Sequence, residues 1–271
     1  MPILVFTDLD GSLMERETYS MEPARLALQT LQSREIPVII NSSKTAQEIQ
    51  AVQKKLGLSE AFVSENGASL YLPKADEIRE FGQPRETWLG AVHQLRAQEK
   101  YLFTGFYDWS AREISKLTGL SQEQAKLSKI RQYSEPILWC DSVDARAKFE
   151  RRIAQLGLRL LEGGRFLSIQ SHFDKSNAMN WMIQQQPAPP KSQPLITVAL
   201  GDSPNDEAML NSADIAVVIK SAKSDRIRLN GPNKVIKTKH PGPVGWQDAM
   251  TEILKLYDSG LLRSMGNYSS Q

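Results

Sequence analysis

A short apolar run close to the N-terminus, Ile3–Phe6, stops abruptly at Asp8, Asp10 and Gly11. A run of this length that ends on acid and glycine is typical of a strand buried on both faces of a parallel sheet. A helical pattern follows, and then a second apolar run, Val38–Ile40, and a second helical pattern. Strand, helix, strand and helix at this spacing predict an α/β fold, with a Rossmann-like parallel sheet as its core and helices on both faces.

The middle of the chain carries a different pattern. From about residue 85 to residue 130 the apolar spacing is helical, with capping boxes that begin at Ser110 and Ser121. A strand, a helix and two paired strands are then predicted at Pro136–Cys140, Asp144–Leu156, Arg159–Leu161 and Phe166–Gln170. The pattern therefore predicts an α+β domain at residues 84–170, inserted between the two parts of a core at residues 1–83 and 171–271.

The α/β pattern resumes after the insert, with a helix from Lys175 and a buried strand at Leu195–Leu200. Between them lies the polar, proline-rich segment Gln184–Pro194. We expect this segment to be an exposed loop, because its composition cannot form a packed core. The remaining predicted elements are two strands and a closing helix, at Ile215–Ile219, Lys234–Ile236 and Trp246–Tyr257.

Charge and cysteine content limit the partners of the protein. The 33 Lys and Arg residues against 31 Asp and Glu residues leave a net charge of +2, so we expect no nucleic-acid or anionic-membrane surface. No apolar run approaches ~20 residues, so no segment is expected to span a bilayer. The N-terminus has no basic flank with a cleavage site, and the single cysteine, Cys140, suits a reducing compartment, so we expect a cytoplasmic protein. Cys140 follows an apolar run and is expected to pack as a small hydrophobic residue.

Two acidic clusters follow predicted buried strands. Asp8 and Asp10 come after the first strand, and Asp202, Asn205 and Asp206 come after the strand that ends at residue 200. Ligands in open α/β sheets bind beyond the carboxyl ends of the strands, so this is where chemistry is expected. Oxygen ligands without His or Cys favour a hard ion, most naturally Mg²⁺. Each cluster alone could also be an ordinary turn or a helix cap.

Two further positions are suited to an anion. Ser42, directly after the second predicted strand, offers a hydroxyl together with nearby amides such as that of Ser43. Lys175, which opens the helix after the insert, offers a point charge. Taken singly, Ser42 could cap a helix and Lys175 could be a solvated surface lysine. Together with the acidic clusters they predict a phosphate site, in which Ser42, Ser43 and Lys175 bind the phosphate.

These four sequence elements resemble, in the same order, the motifs of the haloacid dehalogenase-like phosphatases. Asp8 and Asp10 match D-x-D-G-[TS], Ser42 matches the second motif, Lys175 the third, and Gly201–Asp206 the fourth, G-D-x-x-N-D. The resemblance implies a Mg²⁺-dependent phosphatase that works through an aspartyl phosphate, with Asp8 as nucleophile and Asp10 as general acid and base. It also implies that the insert is a type 2 α/β cap and that the metal is held by Asp8, Asp10, Asp202, Asn205 and Asp206.

Within that capped branch, the chain most resembles the mannosyl-3-phosphoglycerate phosphatases. The similar stretches are the second-motif loop, a cap signature, the fourth motif and a C-terminal G-P-x-G-W, at Asn41–Thr45, Gly163–Phe166, Gly201–Asp206 and Gly242–Trp246. Glu65–Ala68 is similar to a stretch that is common in the capped branch. The resemblance implies mannosyl-3-phosphoglycerate as the substrate, and a role in the synthesis of mannosylglycerate.

A glycosyl phosphoglycerate carries a carboxylate besides its phosphate, so its pocket needs a second anion site. Arg165, beside a Gly-Gly turn that lets backbone approach a ligand, is a candidate because guanidinium binds carboxylate in a fork. An arginine beside a hairpin turn is also commonly just solvated. The residues expected to contact the substrate are Lys44, Asn66, Gly164 and Arg165.

Other functions keep the same core motifs. The nearest alternatives are phosphatases for glucosyl-3-phosphoglycerate, sucrose phosphate or another sugar phosphate, and phosphosugar mutases. The alternative from a different class is a sugar-phosphate-binding protein that has lost catalysis. Such a protein is expected to lose Asp8, Asp10 or the acids of the fourth motif, and this chain keeps them all.

Overall fold

The computed structural model describes residues 2–163, 165–186 and 194–264. Residues 187–193, which make up most of the predicted loop Gln184–Pro194, lie outside the described residues. Among the described residues, none of the helices combines the length and the apolar character needed to cross a membrane.

Strands and helices alternate along most of the described chain. The strands are β1 (Ile3–Thr7), β2 (Val38–Asn41), β3 (Phe62–Ser64), β4 (Ser69–Leu72), β5 (Glu77–Glu80), β6 (Phe103–Gly105), β7 (Ser134–Trp139), β8 (Leu158–Glu162), β9 (Leu167–Ser171), β10 (Ile196–Gly201), β11 (Ile215–Lys220) and β12 (Lys234–Pro241). The α-helices are α1 (Arg25–Ser33), α2 (Ala46–Leu56), α3 (Leu89–Glu99), α4 (Ala111–Thr118), α5 (Gln122–Ser128), α6 (Val143–Ala154), α7 (Lys175–Gln184), α8 (Glu207–Asn211) and α9 (Gly242–Asp258).

The larger sheet has eight strands in the order β12-β11-β10-β1-β2-β3-β4-β5. Neighbouring strands from β12 to β3 are parallel, whereas β4 is antiparallel to both β3 and β5. Strand β1 is flanked by β2 and β10, which lie far from each other in sequence. The predicted α/β fold with a parallel-sheet core is therefore confirmed.

The central strands of this sheet are buried on both faces. Ile3 and Val5 of β1 belong to a cluster that includes side chains of α1, α2 and α9. Leu4 and Phe6 belong to another cluster, which includes side chains of α7 and α8. Because successive side chains of a strand point to opposite faces, these clusters show helices covering both faces of the sheet.

Residues 103–171 contribute the strands of a second, antiparallel sheet in the order β6-β7-β9-β8. Helices α3 and α6 pack on this sheet, with Val92, Phe149 and Ile153 in the shared apolar cluster. Helices α4 and α5 form a smaller cluster around Phe106 and Ile114. Residues 85–171, called the α+β segment below, therefore combine this sheet with the helices α3 to α6.

The capping boxes that the sequence indicated are present in this segment. The Ser110 hydroxyl accepts from the Glu113 amide at the start of α4, over 3.3 Å. The Ser121 hydroxyl accepts from the Gln124 amide at the start of α5, over 3.2 Å. In both cases the side chain three residues on accepts from the backbone amide of the serine, so each box is complete.

Some local predictions were wrong. Strand β6 lies within residues 85–130, which were expected to be helical throughout. Strand β5 was not predicted, because all four of its residues are exposed and it lies at the edge of the sheet, where no apolar pattern is required. Cys140 is exposed rather than packed, because it lies just beyond the end of β7.

Candidate active site

The two acidic clusters meet at one edge of the larger sheet. Strands β1 and β10 are parallel neighbours with Thr7 beside Leu200, and the Asp8 amide donates to the Leu200 carbonyl over 2.9 Å. The carboxyl ends of these strands therefore place Asp8 close to Asp202. Asp8, Asp202 and Asp206 are all buried, and one carboxylate oxygen from each lies within 4.8 Å of the others.

Lys175, the first residue of α7, lies among these acids. Its Nζ donates to Asp8 Oδ1 and to Asp206 Oδ1, each over 2.6 Å, and its side chain is fully buried. Burial acts to lower the pKa of Lys175, but Asp206 and Asp8 outweigh it and raise that pKa above its usual value. The Asn41 side chain donates to the Lys175 carbonyl over 2.8 Å, so β2 holds the start of α7 in place.

Asp206 uses both of its carboxylate oxygens within the protein. Oδ1 accepts from Lys175, and Oδ2 accepts from the amides of Asp202 and Ser203 over 2.9 and 3.1 Å. Gly201 permits this arrangement, because a Cβ there would lie 2.4 Å from the Asp206 Cβ. Asp206 therefore fixes the loop after β10 and orients Lys175.

Arg16 also contacts this cluster, and the sequence analysis missed it. Its Nη2 donates to Asp202 Oδ2 over 2.6 Å, while Asp202 Oδ1 is buried and has no hydrogen-bond partner among the described residues. The guanidinium packs against Gly11. A Cβ at Gly11 would lie 2.5 Å from Arg16 Nε, and the φ angle of Gly11 is +91°. The only sequence signal for Arg16 is its position in the loop after the first acidic cluster, and many loops carry arginine.

The buried acids of this cluster outnumber the basic side chains that contact them. Burial raises the pKa of Asp8 to about 8, against the opposing effect of Lys175. Burial, and next the nearby Asp206, raise the pKa of Asp202 to about 6, against the opposing effect of Arg16. Both shifts indicate that the carboxylates lack compensating charge, and a divalent cation among them would supply it.

Asp10 lies on the other side of Asp8 and pairs with Lys44. Lys44 Nζ lies 3.1 Å from Asp10 Oδ2 and 3.6 Å from Glu48 Oε1, and its side chain is only 11% exposed. Burial acts to lower the pKa of Lys44, but Asp10 and Glu48 raise it above its usual value. Lys44 therefore contacts the residue that was expected to act as general acid and base.

The loop after β2 brings the predicted phosphate-binding serines to the same edge. Ser42 is fully buried, its hydroxyl accepts from the Lys44 amide over 3.3 Å, and its carbonyl accepts from the Asn66 amide over 2.9 Å. Ser43 is half-buried and lines a cavity that also reaches Asp8. The loop then enters α2, whose first turn is capped by Thr45.

Asn66 and Asn205 join the β3–β4 turn to the loop after β10. The Asn205 side chain donates to Asn66 Oδ1 over 3.1 Å, and both residues are buried. The next residue, Gly67, has φ +100°, and a Cβ there would lie 2.0 Å from the Asp174 carbonyl. The turn is therefore packed against the start of α7, which carries Lys175.

These residues surround a cavity of about 170 Å³ between the larger sheet and the α+β segment. Six of the predicted site residues line it, namely Asp8, Asp10, Ser43, Lys44, Arg165 and Asn205. The α+β segment contributes further lining residues, namely Phe106, Thr118, Leu120, Ser128, Arg131 and Phe166. The cavity thus combines carboxylates, four basic side chains including Arg16, and aromatic rings.

Arg165, Gly164 and Asn66 were also expected to contact the substrate. Arg165 lines the cavity but is exposed, and its Nη1 donates to the Leu117 carbonyl over 2.8 Å. Gly164, which was expected to let backbone approach a ligand, lies outside the described residues. Asn66 is not among the cavity-lining residues and contacts the cavity through Asn205 instead.

Comparison with known proteins agrees with this geometry. Residues 5–138 match the family model of the haloacid dehalogenase-like hydrolases. The matched residues include the first acidic cluster, the loop after β2 and part of the α+β segment.

Solved structures share the fold over nearly the whole chain. A haloacid dehalogenase-like hydrolase from B. subtilis has a TM-score of 0.66 at 18% identity, covering 93% of this chain and 98% of that one. A haloacid dehalogenase subclass IIB sugar phosphatase has a TM-score of 0.66 at 17% identity, covering 92% and 98%. The sucrose-phosphatase from Synechocystis sp., solved with sucrose and phosphate, has a TM-score of 0.60 at 14% identity, covering 93% and 98%. The chain is therefore similar to the haloacid dehalogenase-like hydrolases over residues 5–138, and it shares its fold with these solved structures over nearly its whole length.

Proposed function

We propose that this protein is a Mg²⁺-dependent phosphatase that hydrolyses a phosphate monoester through an aspartyl phosphate on Asp8. The observation that carries the proposal is the environment of Asp8. Its buried carboxylate lies at the end of β1 between Lys175 and the neighbouring acids, and it lines the cavity. A carboxylate held beside a buried ammonium and a candidate metal site is suited to attack on an anionic phosphorus centre.

The donor set fits Mg²⁺. Within the described chain, Asp202 Oδ1 is buried and has no hydrogen-bond partner. Of the two carboxylate oxygens of Asp8, it is Oδ1 that accepts from Lys175. We therefore assign Asp8, Asp202 and the Asp10 carbonyl as its ligands, with Asn205 and Asp206 positioning that shell. When bound, Mg²⁺ supplies positive charge that offsets the repulsion between a carboxylate and a phosphate.

The chemical steps use side chains of this chain. The Asp8 carboxylate forms a bond to phosphorus while the bond from phosphorus to the leaving oxygen breaks, and Asp10 gives that oxygen a proton. Water then attacks phosphorus and gives a proton to Asp10, while the bond between phosphorus and the Asp8 oxygen breaks. Phosphate is released, and the Asp8 carboxylate is restored. Lys175 and the Ser42–Ser43 loop stabilise the charge on the phosphate oxygens throughout.

We propose the domain division at residues 84 and 170. The core then comprises residues 1–83 and 171–271, and residues 84–170 form a cap that carries the leaving-group side of the cavity. Several contacts join these parts beside the cavity, and two of them are hydrogen bonds from hydroxyls of residues 1–83 to backbone carbonyls of residues 84–170. The Tyr19 hydroxyl donates to the Thr118 carbonyl over 2.9 Å, and the Thr45 hydroxyl donates to the Leu127 carbonyl over 3.1 Å. A cap in this position would exclude water and select the leaving group.

We propose mannosyl-3-phosphoglycerate as the substrate within this reaction class. Three features support this choice: the sequence resemblance, the basic side chains of the cavity beyond the acidic cluster, and fold neighbours that are named as sugar phosphatases. Aromatic rings at Phe106 and Phe166 also line the cavity, as expected of a site for a sugar face.

The test is phosphate release from a panel of esters with and without Mg²⁺. The panel contains mannosyl-3-phosphoglycerate, glucosyl-3-phosphoglycerate, sucrose phosphate, simple hexose phosphates and an aryl phosphate, ranked by kcat/KM. We expect Mg²⁺-dependent hydrolysis, with the highest kcat/KM on mannosyl-3-phosphoglycerate. If another ester has a higher kcat/KM, the proposed substrate is wrong but the proposed reaction is retained. Binding of sugar phosphates without any phosphate release would favour the non-catalytic alternative and contradict the proposal.

A further inference from the structure

The cavity contains an arginine that no sequence motif singled out. Arg131 lies between α5 and β7 and lines the same cavity as Asp8 and Asp10. Its side chain is only 8% exposed. An arginine this deeply buried requires partners for its charge, because burying an unpaired ion is costly.

The guanidinium of Arg131 is held firmly in place by neutral groups. Nη1 donates to the Ser43 carbonyl over 3.2 Å and to the Ser134 hydroxyl over 2.9 Å. The Cζ atom lies 5.3 Å from the centre of the Phe106 ring, a cation–π contact. The Ser43 contact ties the guanidinium to the loop that precedes α2, which also carries the predicted phosphate-binding residues.

The positive charge of Arg131 has no hydrogen-bonded carboxylate within the described chain. The nearest acid is Glu65, whose Oε2 lies 3.9 Å from Arg131 Nη1. Glu65 already accepts from the Gln132 amide, the Tyr133 amide and the Ser134 hydroxyl, over 2.8, 3.1 and 2.6 Å. Arg131 Nε is buried and makes no hydrogen bond to the described residues.

The other basic residues of the cavity are differently placed. Arg16 and Lys44 each contact an acid of the site, Asp202 and Asp10 respectively. Arg165 is exposed and is tied to a carbonyl. Arg131 alone among these four combines a buried, fixed guanidinium with the lack of a hydrogen-bonded acid.

We propose that Arg131 binds a second acidic group on the substrate, the carboxylate of a phosphorylated hydroxy acid, and so determines specificity. This inference rests on the proposed phosphatase function and assigns the carboxylate to Arg131 in preference to Arg165. A rigid guanidinium loses little conformational entropy when it binds a planar carboxylate. A buried guanidinium that keeps unsatisfied donors discriminates strongly against a ligand that lacks the matching acceptor.

A matched pair of small substrates isolates this contact. 3-Phosphoglycerate and glycerol 3-phosphate are primary phosphate esters that differ by a carboxylate in place of a hydroxymethyl group. The ratio of their kcat/KM values is measured for the wild-type protein and for Arg131→Gln, Arg131→Lys and Arg165→Gln. Arg112→Gln, on the exposed surface of α4, is the control for the loss of one positive charge.

We expect the wild-type protein to favour 3-phosphoglycerate. Arg131→Gln should lower that preference by about 10- to 100-fold, mainly through KM, because a charged hydrogen bond is lost. Arg131→Lys should keep part of the preference, Arg165→Gln should lower it less than Arg131→Gln does, and Arg112→Gln should leave it unchanged. Thermal unfolding of each variant checks that the fold is intact.

Two results would overturn the inference, and they can be told apart. If Arg131→Gln lowers kcat/KM equally for both substrates, Arg131 only positions the Ser43 loop, and the carboxylate is bound elsewhere. If the wild-type protein hydrolyses both esters without preference, the substrate class in the proposed function is itself wrong.

Discussion

At the scale of single residues, the protonation state of Asp8 differs between the folded protein and the unfolded chain. Burial raises its pKa to about 8 from an ordinary value of 3.8, with Lys175 opposing the shift. Asp8 in the folded protein without metal therefore holds a proton that the unfolded chain releases above about pH 4. The contribution of Asp8 to the free energy of unfolding must then fall as the pH rises from about 4 to about 8.

Asp8→Asn tests this sign, because asparagine cannot ionise. In the presence of a chelator, we expect the stability of the variant relative to wild type to increase between pH 5 and pH 8. Thermal unfolding at these two pH values measures the difference. A relative stability that stays constant with pH, or that decreases, would show that Asp8 is ionised at an ordinary pKa in the folded protein.

At the same scale, the sequence indicated the acids and Lys175 but not the two buried or half-buried arginines beside the cavity. Asp8, Asp202 and Lys175 could be found because each follows a strand or opens a helix in a recognisable pattern. Arg16 and Arg131 could not be found in this way, because each reaches the site from an irregular segment, and its role depends on the tertiary fold. Lys44 was expected to contact substrate, yet it also pairs with Asp10.

At the scale of elements, the fully buried strands were predicted, whereas two partly or wholly exposed edge strands were missed. β1 and β10 show continuous apolar runs, and all of their residues are buried. β5 and β6 lie at the edges of their sheets, and at least part of each is exposed, so the apolar pattern is weak or absent. The contacts of the β3–β4 turn with the start of α7 and with the residues before β7 were not predicted, because they depend on the tertiary fold.

Glu65, in the β3–β4 turn, connects the larger sheet to the residues at the start of β7. It is almost fully buried and accepts three hydrogen bonds from the segment that leads into β7. We expect Glu65→Gln to lower the free energy of unfolding by about 1.5–3 kcal/mol, because hydrogen bonds to a charged acceptor are weakened in a buried site. Urea unfolding measures the loss, and Glu77→Gln on the exposed strand β5 is the matched control. Equal stability of the two variants would show that Glu65 does not hold the segment.

At the scale of the whole molecule, the acids of the proposed site come from the ends of strands that are adjacent in the sheet and distant in sequence. A divalent cation that binds Asp8 and Asp202 must therefore stabilise the folded protein, because the unfolded chain cannot bring these acids together. We expect Mg²⁺ at about 100 times its Kd to raise the free energy of unfolding by about 2.7 kcal/mol. Thermal unfolding with and without Mg²⁺ measures the shift.

Asp202→Asn should abolish most of that Mg²⁺-dependent shift, since it removes one of the two proposed carboxylate ligands. Asp225→Asn, which changes an exposed acid later in the chain, should keep the Mg²⁺-dependent shift. A Mg²⁺-dependent shift that survives in Asp202→Asn would place the metal somewhere other than the end of β10.

The central claim is that Asp8 carries the phosphoryl group during turnover, and trapping that intermediate tests it most directly. The protein is mixed with Mg²⁺ and a phosphate ester that it hydrolyses, and the reaction is quenched rapidly in acid. The protein is then digested, and the masses of its peptides are measured by mass spectrometry. We expect one phosphoryl group on the peptide that contains Asp8, and neither this adduct nor turnover in Asp8→Asn. Normal turnover in Asp8→Asn, or a phosphoryl group on a different residue, would contradict the account.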